Sequence, residues 1–230
     1  MSRYTLMAAP RPEFPPIDVM QREDGLLVAT FGPGTYKANV GAMSGPYSNP
    51  INSRLSFKPA DTAQSLDYIA GNIVRVRAEI LNPRCAQIGR IARTSEGVFI
   101  NVSGNEDESD LKRLFEGVPG VDGVYLENNG RAFVAHTAFQ RGVQTREQFT
   151  NGGLARALEL TTKPQNFGVI ASGEHYPNGV NVFGFGPANI GGVEHRVVFL
   201  TSDRSAVGRL GIGDDFGNDG DSYAFGVSSS

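Results

Sequence analysis

Three histidines are the residues in this 230-residue chain whose type most directly invites chemistry: His136, His175 and His195. Two of them follow a glutamate, as Glu174-His175 and Glu194-His195. Imidazoles with carboxylates form the donor sets of catalytic metal centres. Such centres draw ligands at close spacing from one element, as His-x-His or His-Glu-x-x-His, and neither pattern occurs here. Unrelated core and surface histidines are the simpler account. A His/Glu metalloenzyme is therefore the most distant of three functional readings, and no metal is assigned.

Four aspartates, Asp214, Asp215, Asp219 and Asp221, flank Gly217, Asn218 and Gly220, a density that suggests a calcium loop. Counted from Asp215, the third place is Gly217 and the twelfth Gly226, where an EF-hand needs an oxygen ligand and a bidentate glutamate. A solvated turn is expected instead. Cys85 is the only cysteine, so no internal disulfide can form, and a small buried core residue is the expectation for it. Gly184-Phe185-Gly186-Pro187 and Gly191-Gly192 lack the lysine of a phosphate cradle, and no Gly-x-Gly-x-x-Gly joins a strand to a helix. Ser103-Gly104 and Ser172-Gly173 lack a nucleophile elbow. Glu106, Asp107, Glu108 and Asp110 crowd one helix start, where the dipole and solvent account for them. No catalytic residue and no cofactor is assigned.

Composition narrows the classes further. Lys and Arg total 21 against 24 Asp and Glu, so no global basic field attracts phosphate. The basic residues are 17 arginines and 4 lysines, a ratio that codon bias explains as readily as interface chemistry. No segment reaches the roughly 18 apolar residues of a membrane span. Arg3, Tyr4, Arg11 and several prolines break up the N-terminal stretch, so no signal peptide is expected. The expectation is a soluble protein, intracellular or within an assembled particle, with no membrane insertion. Glycine and proline together make 42 of 230 residues, and they punctuate short apolar runs rather than forming repeats. That describes a folded, loop-rich, strand-rich chain.

The elements that must position these residues centre on 97–171. Val98, Ile100 and Val102 alternate with Phe99, Asn101 and Ser103, which predicts a strand. Leu111, Leu114, Phe115 and Val118 recur at helical spacing behind an acidic first turn. Val121–Leu126 and Ala132–Ala135 flank Asn128-Asn129-Gly130, a hairpin signal whose two central residues would take positive φ. Leu154–Leu160 reads as a helix and Phe167–Ala171 as a strand. The order is β-α-β-β-α-β, an α+β unit.

Val98-Phe99-Ile100-Asn101-Val102, then Asp110–Glu116, then Gly130-Arg131-Ala132-Phe133-Val134 together resemble an RNA recognition motif, over about a third of the chain. The resemblance implies a ferredoxin-like fold in which aromatics on the central strands stack on bases. By parity, Phe99 and Phe133 share the outer face, and Val98, Ile100, Ala132 and Val134 face the helices. RNA would then stack on Phe99 and Phe133 beside Arg131, with Arg75 and Arg77 contacting phosphate.

The flanks differ in character. Residues 1–60 are rich in breakers and read as an extended arm with one short strand, Leu26–Phe31, and the anchors Tyr4, Phe14, Leu27, Tyr36 and Tyr47. The arm either reaches a partner, through Tyr4, Phe14, Tyr36 and Tyr47, or wraps its own domain. Asp61–Ala70 reads as a capped helix. Beyond it, Leu66, Ile69, Ile73, Val76 and Ile80 fit one long helix, whereas Val74, Val76, Ala78 and Ile80 alternate as a strand. Gly71-Asn72 and the β-branched run favour helix, break, strand. Gln87–Arg93 returns as a strand. Residues 173–230 read as a β-rich extension, with strands at Val180–Phe185, Val193–Thr201 and Val207–Ile212 and a flexible or partner-held tail. Three segments result: an arm over 1–60, a core over 61–172 and an extension over 173–230. The first functional expectation is a non-enzymatic assembly subunit that holds neighbouring proteins through arm and extension, and the second an RNA-binding module.

Overall fold

The computed structural model describes residues 4–8, 18–44, 47–48, 54–202 and 208–229. They form an α+β protein around one mixed sheet in which fourteen strands are linked. In chain order, β1 (Tyr4–Ala8), β2 (Asp18–Arg22) and β3 (Leu26–Gly34) lead into α1 (Tyr36–Met43). Short pairings follow at β4 (Tyr47–Ser48), β5 (Arg54–Leu55) and β6 (Lys58–Pro59). Helices α2 (Thr62–Gly71) and α3 (Ile73–Val76) run into a π-helical turn, Arg77–Leu81. Then come β7 (Cys85–Arg93), β8 (Gly97–Ile100), α4 (Glu108–Leu114), β9 (Gly120–Val121), β10 (Val124–Glu127), β11 (Arg131–Ala135) and β12 (Gly142–Gln144). The chain closes with α5 (Arg146–Thr150), α6 (Gly153–Leu158), α7 (Asn166–Ile170), β13 (Val180–Val182), β14 (Glu194–Ser202), β15 (Leu210–Asp215) and β16 (Ser222–Ser229).

The main strand path is β1-β2-β3-β16-β7-β14-β15-β13-β12, and β8, β11, β10 and β9 branch from β7. Segments from all three expected divisions therefore share one sheet, and no break in it falls at 60/61 or 172/173. The expected arm contributes β1 to β3 and the unexpected helix α1. The expected tail contributes β16, which pairs antiparallel with β3 and parallel with β7. Phe225 and Val227 of β16 enter the main core, and Ala224 enters a second core on the opposite face.

The stretch after Gly71 is helical, not a strand. Ile69, Ile73, Val76 and Ile80 are buried, and Val74 is 72% exposed. Burial follows the helical spacing, and a strand would have sent Val74, Val76 and Ile80 to one side. Asp61 starts this run with a capping box, its carboxylate accepting from the Gln64 amide at 2.7 Å while Gln64 Oε1 accepts from the Asp61 amide at 3.0 Å.

Phe167–Ala171 is also helical, so the β-α-β-β-α-β unit is not completed. The Glu159 carboxylate accepts three backbone N–H groups, from Gln165 (2.9 Å), Asn166 (3.0 Å) and Phe167 (2.6 Å), and so caps the start of α7. Phe167 and Ile170 then bury together at helical spacing. Strands β8, β11 and β10 lie side by side and antiparallel. The free side of β8 is taken by β7, which precedes it in the chain. In the β10–β11 turn, Glu127 pairs with Arg131 around a three-residue loop, and Gly130 alone of its central residues has positive φ, at 81°.

The helices divide over the two faces. Helices α2, α3, α6 and α7 bury Leu66, Ile73, Leu154 and Ile170 in the main core with Ile88, Val98, Val134 and Leu200. Helix α1 covers the opposite face, where Tyr36 and Met43 pack with Phe31, Val197 and Ala224. Phe225 is 2% exposed and lies 5.0 Å, centroid to centroid, from Tyr68. Phe225→Ala should cost about 3–5 kcal/mol of unfolding free energy, and Val74→Ala less than about 0.5 kcal/mol. Urea denaturation followed by circular dichroism checks both values.

Candidate functional site

Strand parity holds at the expected stacking face. Phe133 is in register with Phe99, and Val134 with Val98. The two rings lie 4.5 Å apart. The face is nevertheless covered. Helix α4 lies over it, burying Leu111, and Phe115 packs 5.6 Å from Phe99. Phe99 is 3% exposed, so a base cannot reach it. The stacking assignment is corrected on this point: one helix packs on the aromatic side, where the resemblance requires an open face. The loop before α4 is closely bonded. The Glu106 carboxylate accepts from the backbone N–H of Ser103 (2.7 Å), Gly104 (2.9 Å) and Asn105 (3.1 Å), and from the Ser103 hydroxyl (2.6 Å).

The proposed phosphate contacts are also occupied. Arg75 pairs with the buried carboxylate of Asp18 and donates to the Tyr68 hydroxyl, tying α3 to β2. Arg77 lies over the Tyr176 ring, 5.3 Å from its centroid. Arg131 is half-buried at the start of β11. The aromatic anchors turn inward too. Tyr4 is buried, donates to Asp67 at 2.7 Å and meets Tyr68 edge-on. Tyr36 is buried beneath the Arg90 guanidinium. Tyr4 and Tyr36 thus serve their own core instead of a partner. Phe14 and the side chain of Tyr47 lie outside the described residues.

The histidines stand apart. His136 Nε2 lies 3.1 Å from the Thr94 carbonyl, and His195 Nε2 lies 3.0 Å from the Glu106 carbonyl. The His175 amide donates to the Ser172 carbonyl. Among the described residues, no three His, Cys, Asp or Glu side chains converge as metal ligands. Cys85 is buried, with Sγ 2.9 Å from Ser222 Oγ and 3.7 Å from Asp219. Burial pushes its thiol up to about 11, against the lowering effect of the Ser222 hydrogen bond. An open depression of about 560 Å³ beside β12 is lined by Gln144, Thr145, Arg146, Tyr176 and Asn178. Its Arg146 is paired with Glu147, which also lines it.

The feature that sequence reasoning missed is the outer face of β14, β15 and β13. Val197 on β14 packs under α1, and two residues further on the same face Phe199 is half-buried. Phe183, just after β13, is 38% exposed and held over β15 by its amide, which donates to the Ile212 carbonyl at 2.9 Å. The Phe183 and Phe199 centroids are 5.5 Å apart. Gly211 and Gly213 form the floor beneath. A Cβ on Gly213 would stand 2.3 Å from the Phe183 ring and 2.7 Å from Phe199, so only hydrogen fits. The sequence carried the signal: in Leu210-Gly211-Ile212-Gly213, one face of a strand has no side chains. A floor without side chains is filled from elsewhere, here by two phenylalanines.

On the other face of the same strands, Arg93 pairs with Glu194 and with Asp214, the latter at 3.3 Å. Arg196 pairs with Glu194 and lies over the Phe216 ring. The Arg196 and Arg93 hydrogen bonds hold the Glu194 carboxyl below its usual range. Burial raises that of Asp214, which is packed against Gly184 at φ 80°. The network staples β7, β14 and β15 together.

The chain matches no protein-family model, no curated protein and no solved structure.

Two outcomes test the site description. At pH 8, alkylation of Cys85 by iodoacetamide should run about 100-fold slower in the folded protein than in urea, because the thiolate fraction falls with the raised pKa. Mass spectrometry of quenched samples reads the rate. Burial pushes the Glu106 carboxyl up, but its hydrogen bonds outweigh this and hold it at about 2. A depressed folded pKa stabilises above the unfolded value of 4.5, and that contribution is lost as pH falls towards 2. Glu106→Gln should therefore flatten the decline of the urea midpoint across this window.

Proposed function

We propose that this protein is a non-enzymatic assembly subunit, held in a larger multi-protein particle through the Phe183–Phe199 face. The observation that carries the reading is the uncovered aromatic pair on its glycine floor. Exposed apolar surface set in a rigid element is a feature of interaction sites. A sheet also fixes the rings before a partner arrives, so little conformational entropy is lost on binding. The docking role passes from the arm to the extension alone, which carries Phe183 and Phe199, while the described part of the arm gives β1, β2, β3 and α1 to the fold.

Light scattering on material purified from its native source tests the proposal. The expected result is a fixed-stoichiometry complex well above the chain mass of 24.6 kDa, which Phe183→Ser disperses. A monomer at that mass would overturn it.

A further inference from the structure

We infer that the occupant of the Phe183–Phe199 face is a cationic segment of a partner protein, with lysine or arginine stems laid across the rings and their charges meeting Asp215 and Asp219. The inference rests on the assembly reading and deepens it by naming the partner's chemistry.

Register places the acids. Asp215 follows Gly213 by two residues on β15 and is in register with Val197, so it stands on the same face as the rings. Asp219 lies 3.7 Å from Cys85 Sγ, and Cys85 is in register with Thr201 of β14. Asp215 thus stands on the ring face, and Asp219 stands beside Cys85 on β7, the other neighbour of β14. Neither carries a salt bridge among the described residues, and Asp219 is exposed. The nearby base, Arg84, is already engaged, 3.7 Å from Asp221 and over the Tyr223 ring. Among the described residues the margin is therefore acidic, and Arg196 acts on Asp215 from beyond ion-pair distance.

Aromatic faces flanked by carboxylates hold guanidinium and ammonium groups by ring quadrupole and by charge together. An acidic partner would meet like charge, and a purely aliphatic one would leave the carboxylates uncompensated.

Fluorescence anisotropy with two labelled peptides tests this, one of repeating Lys-Ala-Gly and one of repeating Glu-Ala-Gly. The Lys peptide should bind, more weakly as salt rises, and perturb the amide NMR signals of 181–183, 197–201 and 211–219. The Glu peptide should not bind. Phe183→Ser, and Asp215→Asn combined with Asp219→Asn, should each weaken binding roughly tenfold. Asparagine keeps the oxygen that accepts from Gly217, and Phe183→Tyr should retain binding, so a folding defect is distinguishable from a lost contact. Equal binding of both peptides, perturbations elsewhere, or binding unchanged in the variants would overturn the inference. If native complexes form and Phe183→Ser disperses them while the Lys peptide does not compete, the assembly reading stands and the cationic partner fails. Self-association of the pure chain that Phe183→Ser abolishes would make the occupant a second copy and overturn it equally.

Discussion

Strand β16 is hydrogen-bonded on both sides, antiparallel to β3 and parallel to β7. It is the seam between the N-terminal strands and the rest of the sheet. Its side chains serve both cores at once: Phe225 and Val227 face the long helices, and Ala224 faces α1. Where β16 must be thin it is glycine, because a Cβ on Gly226 would stand 2.9 Å from Phe31 and 3.0 Å from Phe57. The N-terminal and C-terminal quarters of the chain are thus joined directly in the folded sheet. Pairings this distant in sequence cost loop-closure entropy before they return any contact energy.

That closure determines which charges are left for function. Arg75, Arg77, Arg90, Arg93 and Arg196 sit on a pair of carboxylates or on an aromatic ring of the same fold. Arginine suits these places because its planar fork pairs and stacks together. Each such pairing removes a cation from the surface. At the ring face of β14, β15 and β13, Asp215 and Asp219 carry no salt bridge among the described residues, and Phe183 stands exposed beside Phe199.

Legibility followed how local each signal was. Strands β3, β7, β8, β11 and β14 were readable because short apolar runs between turn residues, and in β8 alternation, are properties of neighbours in sequence. The helix beyond Gly71 carried two competing periods, and the tertiary contact of Ile73, Val76 and Ile80 with the core chose between them. Phe167–Ile170 looked like a strand because four residues cannot display a helical period, and the capping carboxylate of Glu159 lies outside the run. β16 was hidden by its serines and glycines, which read as a tail. Their smallness is what a strand pressed between two packed faces requires. Phe99 and Phe133 were placed on the correct side of their strands. Parity reports which residues share a face and says nothing about which helix arrives to cover it.

The same distinction separates the two aromatic pairs of this protein. The Phe133 ring also lies over a glycine, Gly97, but Leu111, Phe115 and Val193 close over Phe99 and Phe133. Phe183 and Phe199 rest on Gly211 and Gly213, and the rings themselves supply the covering layer. An aromatic pair that fills its own floor needs no helix above it to exclude water from the strand beneath. Its outer surface stays open without leaving a cavity in the core. A folded sheet can therefore present such a pair at little internal cost, whereas uncovering Phe99 would expose Leu111 and Phe115 as well. Of the two faces, the one at Phe183 and Phe199 can meet a partner without α4 moving aside.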